Sequence, residues 1–171
     1  MKIECIVVGD LQENCYIITK DNNTIIVDPG SEFEKIDKKI KNLNAILITH
    51  YHDDHIGALK QLKEKYNVKI IDYKDVNEEF DINNFNFKVI DTKGHTNDSV
   101  SFYFKKEKIM FTGDFLFKET IGRTDFFNSN KQDMQRSINN IKKYKENIII
   151  YPGHGEKTNL DYEKQNNIFL A

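Results

Sequence analysis

At 171 residues, 39% hydrophobic and 30% charged, the chain has material for one compact domain and is too apolar to be disordered. A net charge of −2 and a pI near 6.2 leave no electrostatic footprint for nucleic acid or an anionic membrane, and no run has the length of a membrane span. Residues Met1-Lys2-Ile3-Glu4 lack the apolar core of a signal peptide, and two cysteines, Cys5 and Cys15, do not make a disulfide framework. A cytoplasmic protein with both thiols reduced and buried is the expectation.

In chain order, β-branched and aromatic runs at 3–8, 15–19 and 24–27 predict three strands, the last two separated by Asp21-Asn22-Asn23 as in an antiparallel meander. Asp28-Pro29-Gly30 breaks the third, and Ser31 is placed to cap a helix running to about Asn42. Residues 45–49 read as a strand emptying into His50-Tyr51-His52-Asp53-Asp54-His55. Ile56, Leu59, Leu62 and Tyr66 have helical spacing. Strands follow at 68–72, 85–90, 100–104, 108–112 and 147–151, with helices at about 131–144 and from about Asn159. A second half begins near Asn97. Two packed sheets with helices outside would bury these runs in a single domain, residues 1–171.

The five histidines are 50, 52, 55, 95 and 154, and four of them follow an apolar strand in a Gly- or Asp-rich turn. One rim of a layered fold is where such strand ends converge. Residues at i and i+2 of an extended segment point the same way, so His50 and His52 share a direction, and the following turn aims Asp54 and His55 into neighbouring space. A single zinc takes about four ligands, which leaves part of this motif unused. Adding His95, Asp114 and His154 gives seven candidates. Two four-coordinate cations need about eight contacts, which seven residues supply if one carboxylate bridges; a neutral imidazole has one free lone pair and cannot. Bridged cations about 3.5–4 Å apart make a hydrolytic centre, in which a bound hydroxide is the nucleophile.

Thr49-His50-Tyr51-His52-Asp53-Asp54-His55, with Gly94-His95-Thr96, Thr112-Gly113-Asp114 and Pro152-Gly153-His154-Gly155, resembles the metallo-β-lactamase superfamily. Gln12-Glu13-Asn14-Cys15-Tyr16, Val27-Asp28-Pro29-Gly30 and Ile121-Gly122-Arg123-Thr124-Asp125 make it most similar to the short glyoxalase II-like, hydroxyacylglutathione hydrolase-like branch. The resemblance implies an α/β fold of four layers, an αββα sandwich. It implies one metal on His50, His52 and His95, another on Asp54, His55 and His154, and Asp114 as the bridge. It further implies two divalent metals, zinc before iron or manganese, and a small-molecule thioester substrate such as an acyl-glutathione. A metal-bridging hydroxide, oriented by Asp54, would attack it. Asp114 sets the chain apart from true β-lactamases, and Asp54-His55 from the flavin-linked di-iron branch.

Three departures are visible. The family's Thr-Pro-Gly-Ser is Thr96-Asn97-Asp98-Ser99, which brings an acid close to His95 unless it turns to solvent. The sequence runs 17 residues past His154, so the helical C-terminal glutathione-binding domain is expected to be absent. The family's Lys and Tyr contacts to glutathione fall on Arg123 and Asp125, and a further Tyr on Glu156; Arg123 could clamp a carboxylate or pair with Asp125. The alternatives are a mononuclear iron persulfide dioxygenase of the same fold, disfavoured by Ser99, and a nuclease, disfavoured by the lack of a basic surface. Oligomeric state is not legible.

Overall fold

The computed structural model describes residues 1–170. Strands β1 (Lys2–Val8), β2 (Glu13–Lys20) and β3 (Asn23–Val27) form the expected antiparallel meander. Helix α1 (Phe33–Asp37) crosses to β4 (Leu43–Leu47), which runs parallel to β3. Helices α2 (Asp53–Ile56) and α3 (Leu59–Tyr66) lead to β5 (Lys69–Ile71), parallel to β4. The first sheet has the order β1-β2-β3-β4-β5.

The second sheet starts with β6 (Glu79–Ile82) and continues through β7 (Phe85–Asp91), β8 (Val100–Phe104) and β9 (Ile109–Gly113). A small ribbon, β10 (Leu116–Phe117) with β11 (Thr120–Ile121), precedes helix α4 (Lys131–Ile141). Strand β12 (Ile149–Pro152) then inserts parallel to β9, and β13 (Thr158–Asn159) and helix α5 (Leu160–Asn166) close the described chain. The sheet order is β13-β12-β9-β8-β7-β6.

The period-2 alternation of the strands sorts their side chains into three clusters. Tyr16, Ile18, Leu47, Phe102 and Phe111 meet between the sheets. Cys15, Ile17 and Ile46 face the other way, onto Ile36 of α1 and Leu62 of α3. Tyr103 and Met110 pack against Met134 and Ile138 of α4 and Leu160 of α5. The layers are therefore helix, sheet, sheet, helix, as the resemblance implied. No helix among the described residues is long and apolar enough to cross a membrane.

Several expectations need correction. The helix after Asp28-Pro29-Gly30 spans only Phe33–Asp37, and Glu32, not Ser31, occupies its N-cap in the left-handed region at φ 53°. Lys39 beyond it reaches Glu4 on β1 at 2.6 Å, so the segment wraps the sheet edge rather than continuing as helix. The helix expected from Ile56 is broken before Leu59: the Ala58 N–H donates to the Pro29 carbonyl at 2.9 Å rather than to a helical one, and a Cβ at Gly57 would come within 2.2 Å of the Gly30 carbonyl oxygen. The second sheet begins at Glu79, not near Asn97. Cys15 is buried as expected, but Cys5 is exposed, and both are free thiols. The register places Cys5 opposite Tyr16 and Cys15 opposite Ile6, so the two point to opposite faces, and Cys5 lies on the edge strand β1.

Phe102 is fully buried between the sheets. Phe102→Ala is expected to cost about 3–5 kcal/mol of stability, read as a lower denaturation midpoint at unchanged slope in urea.

Candidate metal centre

The carboxyl ends of β4, β9 and β12 and the β7–β8 connection meet at one rim. Past Leu47 the chain leaves the strand, bends at Thr49, is extended at His52 (φ −70°, ψ 145°) and then enters α2, whose single turn carries Asp54 and His55. His95 is fixed from α4: the Asn130 N–H donates to the Gly94 carbonyl at 2.9 Å. A Cβ at Gly94, whose φ is 144°, would lie 2.4 Å from the Met134 Cα, so only glycine lets this helix approach. Asp114 follows β9, and His154 follows β12.

The seven predicted side chains come together. His52 Nδ1 is 3.1 Å from His50 Nε2 and 3.1 Å from His95 Nε2. Asp54 Oδ2 is 3.2 Å from His154 Nε2 and 3.7 Å from His55 Nε2. Asp114 stands between the groups, with Oδ1 3.4 Å from His55 Nε2 and 3.7 Å from His154 Nε2, and Oδ2 3.5 Å from His95 Nε2. Ligand atoms about 2.0–2.1 Å from a shared tetrahedral cation lie roughly 3.4 Å from one another, so both groups have the spacing a divalent metal requires. The buried His55 Nε2 and Asp114 Oδ1 have no hydrogen-bond partner in the protein. A Cβ at Gly153 would sit 2.4 Å from Asp114 Oδ1 and 2.7 Å from His55 Cε1, filling the space between them. Orphaned atoms around a cradle kept clear by glycine fit a metal.

Four of the five rings are held from behind at the other nitrogen. His50 Nδ1 is 3.1 Å from Thr49 Oγ1, His55 Nδ1 3.0 Å from Asp28 Oδ2, His95 Nδ1 3.0 Å from the Arg123 carbonyl, and His154 Nδ1 3.1 Å from the Leu11 carbonyl. Asp28 also accepts from the Thr49 N–H at 2.7 Å and hydroxyl at 2.5 Å, so both its oxygens are engaged and it orients two ligand segments. Sequence reading singled out the Asp28 turn but not this role; an aspartate ending a buried strand was the available signal.

Electrostatics divide the groups. Burial holds the His50 and His95 imidazoles below their ordinary range, as neutral donors. Burial opposes a proton on His55, but the Asp114 and Asp28 carboxylates outweigh it and raise His55 well above that range. His154 is raised likewise against its burial, by Asp54 and Asp114. The His154 contact depresses Asp54 to about 2, and His55 depresses Asp114 in spite of its burial.

The Metallo-beta-lactamase superfamily model matches residues 8–81 and 71–154. The chain belongs to this superfamily. It is 34% identical to the hydroxyacylglutathione hydrolase GloC of Haemophilus influenzae, over 99% of this chain and 98% of that one. The crystal structure of BLEG-1, described as a B3 metallo-β-lactamase, superposes with a TM-score of 0.90 at 30% identity, covering 99% of both chains. That of TTHA1623, in a di-iron-bound form, gives 0.87 at 27% identity over 98% of this chain and 100% of that one. The His/Asp clusters of this superfamily chain mark it as a divalent-metal protein.

Outside the metallo-β-lactamase donor set, Arg123 lines the cleft over the centre, but its fork is engaged by Asp125: Nε donates to Oδ1 at 2.6 Å and a terminal nitrogen to Oδ2 at 2.8 Å. Asp98 accepts from the Thr96 hydroxyl at 2.5 Å, so its charge closes its own loop. Sequence reading gave Glu13 no role of its own. It is fully buried, both carboxyl oxygens lack a partner, and Oε1 lies 3.8 Å from His55 Nδ1. Burial pushes its pKa up to about 10.

Two outcomes follow. Cation binding needs the free lone pairs of His55 and His154, whose pKa values the neighbouring carboxylates raise, so loading is expected to release protons and to tighten as pH rises. Calorimetry in buffers of different ionisation enthalpy reads this; a buffer-independent heat would contradict it. Glu13 must take up a proton on folding at any pH between its unfolded value and about 10, so its cost grows with pH. Glu13→Leu is therefore expected to raise the Tm of the metal-free protein, by more at pH 8 than at pH 5.

Proposed function

We propose that the protein is a thioester hydrolase working with two divalent cations, zinc in the first instance. His50, His52 and His95 hold one, Asp54, His55 and His154 the other, and Asp114 bridges. The observation that carries this reading is the split of Asp114, one oxygen facing His95 and the other facing His55 and His154. The similarity to a protein named hydroxyacylglutathione hydrolase supports a thioester as substrate. Two free thiols suit a cytoplasmic setting.

When bound, the cations supply Lewis-acid charge and water that ionises near neutral pH. The chain supplies the rest. Asp54, ionised down to about 2 and partly open to the cleft, accepts a hydrogen bond from the attacking water and so orients it. Thr49, Asp28 and the Leu11 and Arg123 carbonyls keep the imidazoles from rotating as charge develops. A thiolate is a weak base and leaves without a proton donor, and none of the cleft residues is a clear general acid.

Asp114→Ala is expected to lose at least one cation and to lower kcat/KM on thioesters by about a hundredfold or more, with the fold intact by circular dichroism. The check is metal quantification together with a panel of thioesters, a β-lactam and a persulfide on one preparation. A variant that keeps two cations and normal turnover would refute the bridge. Stoichiometric oxygen consumption with the persulfide by a single-iron protein would replace the hydrolase by a dioxygenase.

A further inference from the structure

The cleft over the donors has a volume of about 340 Å³. Apart from the donor side chains its walls are Leu11, Phe117, Gly122, Arg123 and Phe126. The Phe126 ring stands edge-on to His52 and His95 at 5.0 and 5.4 Å, and Phe117 lies 6.3 Å from His154. Apolar surface thus begins one ring away from both donor groups. It continues outward: Leu11 is 67% exposed and Phe126 37%. Large apolar side chains left in water at the mouth of a cleft mark a ligand groove.

The charges at the same mouth are already spent. Arg123, the one Lys or Arg of the wall, is held by both oxygens of Asp125 and laid 4.4 Å over the Phe126 ring. Lys118, beside Phe117, is 2.7 Å from Glu156. A carboxylate entering here meets a guanidinium already paired with Asp125 through Nε and one terminal nitrogen, and has to compete with that pair.

We propose that this cleft selects thioesters with an apolar arm against Leu11, Phe117 and Phe126 and no carboxylate near Arg123, and that Asp125 sets this preference by occupying Arg123. The proposal rests on the thioesterase reading and names its substrate class: neutral, alkyl or aryl thioesters before those of an anionic peptide thiol. Each methylene buried on the apolar wall is worth about fourfold in affinity. Because the Arg123–Asp125 pair is exposed, its discrimination is smaller, about two- to fivefold.

The test separates binding from turnover. Non-hydrolysable thioethers, S-methyl and S-hexyl, of N-acetylcysteamine and of glutathione are titrated into the metal-loaded protein. The matching acetyl and hexanoyl thioesters are assayed alongside. The hexyl compounds are expected to bind at least about tenfold tighter than the methyl ones, and Phe126→Ala to remove most of that gain. The N-acetylcysteamine series is expected to bind more tightly than the glutathione series. Asp125→Asn should narrow that gap two- to fivefold, and Arg123→Ala added to it should restore the gap. Tighter binding of the glutathione series by the wild type, or a chain-length gain that survives Phe126→Ala, overturns the proposal. Preserved binding preferences with no turnover of any thioester support the selectivity and reject the hydrolase reading.

Discussion

The Asn14 amide donates to the Gly153 carbonyl at 2.7 Å, and on the other side of the centre the Val100 amide donates to the Thr49 carbonyl at 2.8 Å. These two bonds join the sheets at the rim, and the donor geometry depends on them. His50, His52, Asp54 and His55 ride on the first sheet; His95, Asp114 and His154 ride on the second. Apolar packing between sheets resists separation but is tolerant of sliding, whereas a metal site needs its ligands placed to within about half an ångström. The Asn14 side-chain amide adds bonds to the Pro152 and Gly155 carbonyls at 3.1 and 2.9 Å, and the Tyr16 hydroxyl one to Pro152 at 2.6 Å. The loop bearing His154 is therefore clamped on either side of the ligand by the opposite sheet.

Once the sheets are in register, the problem becomes one of charge. Placing carboxylates among buried rings is costly unless each finds a partner. Without a cation, the Asp114, Asp28 and Asp54 carboxylates raise the pKa of His55 and His154 and so favour a proton on each ring. A divalent ion would have the same carboxylates as partners. Glu13 is the group this arrangement does not satisfy, buried against His55 with two unpartnered oxygens. Gly30 makes the space for it, since a Cβ there would lie 2.4 Å from Glu13 Oε2.

Most of this was legible in the sequence where a strong local rule had no competitor. Val100–Phe104 is bounded as its apolar run predicts, and Asn130 and Asn159 cap α4 and α5 with their side chains. The His/Asp cluster was legible because few functions other than metal binding place histidine and aspartate so densely at strand ends. What escaped depends on distant partners. Strands β6, β10, β11 and β13 are two to four residues long and exist through their ladders rather than through periodicity. At the split between α2 and α3 the Ala58 N–H is taken by the Pro29 carbonyl, a distant partner that no helical pattern encodes.

Arg123 marks the boundary between what residue type determines and what neighbours determine. A histidine at a strand end needs only a lone pair in the right place, and that follows from its position on the backbone. A guanidinium at a cleft mouth can serve a substrate carboxylate or a protein one, and its place on the backbone is the same in either case. Here Asp125, two residues on, holds it with parallel bonds while Phe126 supports its face. On the proposed reading, the identity of the donors carries the chemistry of the centre, while the charges still free at the mouth bear on the substrate. At this mouth Arg123 and Lys118 are both paired within the protein, and what remains open to a ligand is the apolar surface of Leu11, Phe117 and Phe126.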